Sequence, residues 1–137
     1  MKRIFVSVLL MICILSFVLP LDVFASDVSL CNNNTLSTTT GFSISTNGRA
    51  TVGLAYEGYP NITTGATITI KIEKRNLLLF WRDVIDETIT VVGDSYFNEM
   101  YYQLEDTGTY RCTVVYTVSG TGGADDVLTF EKTAKYE

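Results

Sequence analysis

Beyond residue 40, hydrophobic and polar residues alternate along most of the chain, and Gly, Asn and Asp break the alternation at short intervals. Successive side chains of a strand point to opposite faces of its sheet, so this pattern predicts strands with one buried and one wet face. The clearest segment puts Ile68, Ile70 and Ile72 on one side and Thr67, Thr69, Lys71 and Glu73 on the other. Phe42 and Ile44 alternate with Ser43 and Ser45, and Val52, Leu54 and Tyr56 alternate with Thr51, Gly53 and Ala55. Asn47-Gly48 stands between these two segments and suits a tight hairpin turn, so they are expected to pair. Residues 109 to 119 set Tyr110, Cys112, Val114, Tyr116 and Val118 inward.

The remaining segments are less regular. Lys74-Arg75-Asn76 is expected to turn the chain, and the continuous apolar run from Leu77 to Trp81 reads as a short strand on its length and aromatic content. Ile85 and Thr88 to Val92 suggest a further strand, ended by Gly93-Asp94-Ser95. Between Tyr96 and Leu104, Tyr96, Met100, Tyr102 and Leu104 share one side, while Phe97, Glu99, Tyr101 and Gln103 share the other. Aromatic residues on both sides leave the buried face open. After the Gly-rich loop at residues 119 to 123, Val127 to Tyr136 reads as the closing strand. Seven or eight strands without a helical period predict an all-β fold, a single antiparallel sandwich over residues 41–137.

Residues 26–40 are rich in Asn, Ser and Thr and read as a polar, flexible leader, because such a stretch buries too little to order itself. The start is different. Met1-Lys2-Arg3 precedes an apolar run from Ile4 to Leu19, and Val23-Phe24-Ala25 places small residues where a peptidase would cut. Residues 1–25 therefore read as a signal peptide cleaved after Ala25. The alternative, a retained anchor, has about 16 apolar residues against the roughly 20 a spanning helix needs. A secreted or cell-surface location follows, with no membrane insertion after cleavage. Loss of Lys2, Arg3 and Asp22 with the leader moves the net charge from −5 to −6. An acidic chain without a basic cluster is a poor partner for nucleic acid. Cys13 departs with the leader, leaving Cys31 and Cys112, for which two readings stand: a disulfide, or a buried apolar Cys112 with Cys31 free.

The run Asp106-x-Gly108-x-Tyr110-x-Cys112 resembles the turn into strand F of immunoglobulin-like sandwiches. There a Tyr two residues before a Cys hydrogen-bonds back along the chain and fixes the corner. The resemblance implies an immunoglobulin-like sandwich preceded by the signal peptide. Two departures accompany it. Val52 and Leu54 occupy the inward positions where that family carries the second Cys, and Trp81 follows the isoleucine strand instead of lying within it. In layout the chain is similar to small exported Gram-positive bacterial proteins that carry no assigned activity.

The chain contains no His, which removes Ser-His and Cys-His nucleophile pairs and most zinc sites. The carboxylates at Asp83, Asp86, Glu87, Glu105, Asp106, Asp125 and Asp126 read as solvated turn residues. No catalytic residue, metal ligand or cofactor is assigned, and the chain reads as a non-enzyme. Tyr59, Phe80, Trp81 and Tyr101 are the aromatic residues left free by the corner and the core, and they form the candidate binding patch. The expected function is a secreted non-enzymatic module that binds an extracellular protein or glycan. A carboxylate-dependent hydrolase and a purely structural envelope component are the alternatives.

Overall fold

Ile68, Ile70 and Ile72 are wholly buried, as are Val52, Cys112, Val114 and Val118, so three segments carry the core on the face their alternation marks. The computed structural model describes residues 32–77 and 80–137. Among these residues seven strands form: β1 Thr35–Ile44, β2 Arg49–Gly58, β3 Thr63–Arg75, β4 Trp81–Val92, β5 Ser95–Gln103, β6 Gly108–Gly120 and β7 Asp126–Tyr136. They make two antiparallel sheets, a three-stranded one in the order β1-β2-β5 and a four-stranded one in the order β4-β3-β6-β7. The protein is an all-β sandwich. Its core strands β2, β3 and β6 are the internal strands of the two sheets. The outer strands β4, β5 and β7 add half-buried rows such as Ile85 and Ile89, Tyr96 and Met100, and Leu128 and Phe130.

Buried tyrosines need partners for their hydroxyls, and those partners bind the layers together. The Tyr110 hydroxyl donates to the Asp106 carbonyl at 2.6 Å, which is the corner bond that the Asp106 to Cys112 run led us to expect. Tyr116 and Thr40 share a hydrogen bond of 2.7 Å between their hydroxyls, linking β6 to β1 in the opposite sheet. Tyr102 on β5 donates to Glu87 on β4 at 2.8 Å, joining the two sheets along one open side. The buried face of β5 is thereby settled as the one bearing Tyr96, Met100 and Tyr102.

The β1–β2 hairpin turns at Asn47-Gly48 as expected. Gly48 sits at φ 79°, and a Cβ there would lie 2.9 Å from the Leu104 carbonyl oxygen, so both conformation and space demand glycine.

Three expectations are corrected. Of the strand expected at Leu77 to Trp81, Leu77 and Phe80 lie outside any strand and Trp81 belongs to the next one. Instead β3 continues through Lys74 and Arg75, and Asn76 closes a bend by donating its N–H to the Phe80 carbonyl at 2.9 Å and accepting the Phe80 N–H on its side chain at 3.0 Å. Trp81 then opens β4, paired with Arg75. The polar leader also ends earlier than residue 40: β1 starts at Thr35, and residues 32–34 are tied to the sandwich ahead of it. The signal segment 1–25, the first part of the leader and Cys31 lie outside the described residues.

The tie at residues 33 and 34 corrects the reading of Asp126 as a solvated turn residue. Asp126 is 7% exposed, and its two oxygens accept the backbone N–H groups of Asn33 at 2.9 Å and Asn34 at 2.7 Å. The Asn34 side chain, fully buried, donates to the Ala124 carbonyl at 3.0 Å and accepts the Gly122 N–H at 3.1 Å. Thr63 donates its hydroxyl to the Asn34 carbonyl. Burial pushes the Asp126 carboxyl upward, but the donors outweigh it, so the group titrates below the ordinary carboxylate range.

Asp126→Ala should cost about 2–4 kcal/mol in chemical denaturation, because a buried N–H group at Asn34 and a partly buried one at Asn33 lose a charged acceptor. The folded-state pKa lies below the unfolded value of about 4. Stabilisation by the carboxylate is therefore complete above about pH 4 and fades as pH falls through the folded value. The stability gap between wild type and Asp126→Asn should narrow on acidification in that window. Tyr110→Phe should cost about 0.5–1.5 kcal/mol, the net worth of one hydrogen bond.

Candidate functional site on the outer face of the three-stranded sheet

The four aromatic residues singled out in the sequence do not meet. Tyr59 lies in the β2–β3 loop, next to the start of β3, and its carbonyl accepts the N–H groups of Ile62 and Thr63 at 3.1 and 2.9 Å. Trp81 pairs with Arg75, the last residue of β3, so it and Phe80 stand at the opposite end of that strand. Tyr101 belongs to the other sheet. The sequence reading grouped these side chains by residue type, and the topology separates them.

Trp81 is occupied by its own sheet. The Arg111 guanidinium carbon lies 4.4 Å from the centre of the Trp81 ring, and the same guanidinium donates to Glu73 Oε2 through Nε at 2.9 Å and Nη2 at 2.7 Å. Lys71 reaches Asp83 at 3.0 Å on the same face. Glu73 is only 8% exposed, so this is a shielded charge network built on the outer face of the four-stranded sheet, with Trp81 packed under its cation. Phe80 remains 67% exposed at the hairpin bend.

A concavity of about 850 Å³ lies at that end and is bordered by Lys74, Arg75, Arg82 and Asp106. Lys74 holds Asp106 at 3.0 Å as a salt-bridge partner. An adjoining concavity of about 400 Å³ is lined by Asp83, Glu105 and Asp106, of which Asp83 is paired with Lys71 and Asp106 with Lys74. Among the described residues, no group of three or more Asp, Glu or Cys side chains is placed to hold a metal ion. Cys112 carries a free thiol, wholly buried, and burial pushes its pKa up to about 12.

The three-stranded sheet presents a different surface. Val52 and Leu54 face the core, so the register sends Arg49, Thr51, Gly53 and Ala55 of β2 to the outside. Phe97 pairs with Ala55 and Tyr101 with Thr51, which puts both rings on that outer face. Phe97 is 79% exposed and Tyr101 is 50% exposed. Arg49 lies with its guanidinium carbon 4.1 Å from the centre of the Tyr101 ring, and the Tyr101 hydroxyl donates to Glu99 at 2.5 Å. The hydrogen bond to Glu99 raises the Tyr101 pKa above its ordinary value. Tyr101 is thus held from both sides, by a cation over its ring and an acceptor at its hydroxyl. Phe97 was missed in the sequence because either face of β5 could have been the buried one.

No protein family matches the chain, and no curated protein is significantly similar to it. Among solved structures, the chain is similar to the CARDB domain of a Pyrococcus furiosus protein, solved in complex with di-metal ions. The identity is 13%, the alignment covers 73% of this chain and 90% of that one, and the TM-score is 0.43.

Removing Phe97 or Tyr101 should change stability by no more than about 0.5 kcal/mol, the usual range for surface positions. Glu73→Ala should cost about 1–3 kcal/mol, because it removes the shielded acceptor of the Arg111 guanidinium and leaves it only the more distant Glu131, at 3.9 Å. Chemical denaturation of the three variants separates the two faces.

Proposed function

We propose that the protein is a non-enzymatic recognition module that works outside the cell and binds an extracellular protein or glycan through the outer face of its three-stranded sheet. The observation that carries this reading is the pair Phe97 and Tyr101, two large rings left in water on the same outer face of the three-stranded sheet. Exposing a ring costs the free energy its burial would have gained. An aromatic side chain also offers a binding partner much contact area at low conformational cost. Delivery to the exterior rests on the basic, apolar and small-residue pattern of residues 1–25. The absence of His from the sequence supports a non-enzymatic role, since it removes the commonest general base.

The test is retention of the purified protein on envelope and extracellular-polymer fractions from the producing cells. The double variant Phe97→Ala/Tyr101→Ala should lose at least about tenfold in retention, corresponding to roughly 1.4 kcal/mol, while Trp81→Ala should bind as wild type does. Equal retention of the double variant and the wild type would rule the face out.

A further inference from the structure

Of the ten glycines in the chain, eight have a reason within the fold. Four of them, Gly48, Gly93, Gly108 and Gly123, have φ values in the region that favours glycine. At Gly58, Gly65, Gly120 and Gly122 an added Cβ would come within 2.4 Å of a neighbouring atom. Gly41 and Gly53 have neither reason. A Cβ on Gly41 would meet nothing within 4 Å, and one on Gly53 would meet only the Gly41 backbone, at 3.7 Å and beyond. The two are paired across β1 and β2 in mid-strand, where glycine lowers stability and β-branched residues raise it. Glycine inside a strand often marks a bulge, a bend or a site of close approach to the backbone, and the β1–β2 register is regular at Gly41 and Gly53, its one shift lying between Thr35 and Ser37.

What surrounds the pair defines the chemistry of that approach. Gly53 is opposite Glu99 on β5, so the row Gly41–Gly53 forms a bare floor that ends at a carboxylate. On one side runs the row Ser43, Thr51 and Tyr101, and on the other the row Thr39, Ala55 and Phe97. The two rings stand four residues apart on one strand, roughly 13 Å, which is the length of a short oligosaccharide. The walls supply the hydroxyls of Ser43, Thr51 and Thr39, besides that of Tyr101, which is bonded to Glu99, and the end supplies one carboxylate acceptor. Arg49 lies over the Tyr101 ring, Glu99 accepts its hydroxyl and Glu57 stands on the same outward side of β2, so this face carries no excess positive charge to hold an anion. The chain as a whole is acidic, which disfavours an anionic ligand.

We infer that the slot floored by Gly41 and Gly53, between Phe97 and Tyr101, binds a neutral oligosaccharide. The oligosaccharide lies along the strand direction over the glycine backbone, one sugar unit packing a C–H face on each aromatic ring, and its hydroxyls bond Glu99 and the Ser and Thr hydroxyls. This inference rests on the recognition reading above and narrows its ligand to one class.

The experiment titrates purified protein with neutral hexasaccharides of β-1,4-linked glucose, xylose and N-acetylglucosamine and of α-1,4-linked glucose, with oligogalacturonate as the acidic control, by calorimetry and amide NMR. At least one neutral sugar should bind, shifting the amide signals of Gly41 and Gly53, and the acidic control should bind at least about tenfold more weakly. Gly53→Val should weaken binding by at least about tenfold with no fall in melting temperature, because a β-branched residue suits the strand and fills the slot. Binding by Gly53→Val equal to wild type would overturn the slot, and failure of every neutral sugar to bind would overturn the ligand class. If no sugar binds but Phe97→Ala/Tyr101→Ala still abolishes envelope retention, the recognition reading stands with a protein as ligand. If no sugar binds and the double variant is retained like wild type, both readings fall. Loss of a dimer by that variant in sedimentation, without sugar binding, would assign the face to a second copy of the chain and overturn the inference.

Discussion

Everything in this sandwich depends on the inward rows of β3 and β6, which pair directly and bury Ile68, Ile70, Ile72, Cys112, Val114 and Val118 almost completely. Apolar side chains without a polar tip can fill such a layer at close packing. The tyrosines beside them cannot, because each brings a hydroxyl that needs a partner. Tyr110, Tyr116 and Tyr102 therefore fix where the corner turns, where β1 crosses the core and where the open side between β4 and β5 is bridged. Hydrophobic burial holds the layers together, and the phenol groups set how they are aligned.

Strand placement was legible wherever the alternation was strict, because a period of two has one interpretation when one face is isoleucine and the other threonine. It failed where the deciding contact is distant in the chain. Asn33 and Asn34 look like part of a disordered leader, yet their backbone N–H groups meet the Asp126 carboxylate more than ninety residues away. Composition carries no information about such a partner. The bend at Asn76 was lost for a local reason: an apolar run looks the same whether it forms a strand or the tip of a hairpin, and the side-chain acceptor that closes this bend belongs to the residue read as the preceding turn.

The surface residues were the least legible. Tyr101 was recognised as free, but Phe97, its companion on the same face, was not. Trp81 was recognised as large and aromatic, but the Arg111–Glu73 pair that covers it depends on register across three strands. The two outer faces differ where their aromatic residues lie. The four-stranded sheet locks charges over an indole at one end of its face, and the three-stranded sheet leaves rings beside bare backbone. A contact surface needs the second condition, since a face whose groups already satisfy one another has little to offer a partner.

The Cys112 thiol sits on an inward position of a central strand, with its pKa pushed up by burial. Only the thiolate reacts at useful rates, and while the sheets are packed this sulfur is neither ionised nor accessible. Its modification by an alkylating reagent therefore requires the two layers to separate, which makes this single atom a built-in clock for the opening of the whole domain. In an oxidising medium the same seclusion keeps it out of mixed disulfides for as long as the protein stays folded.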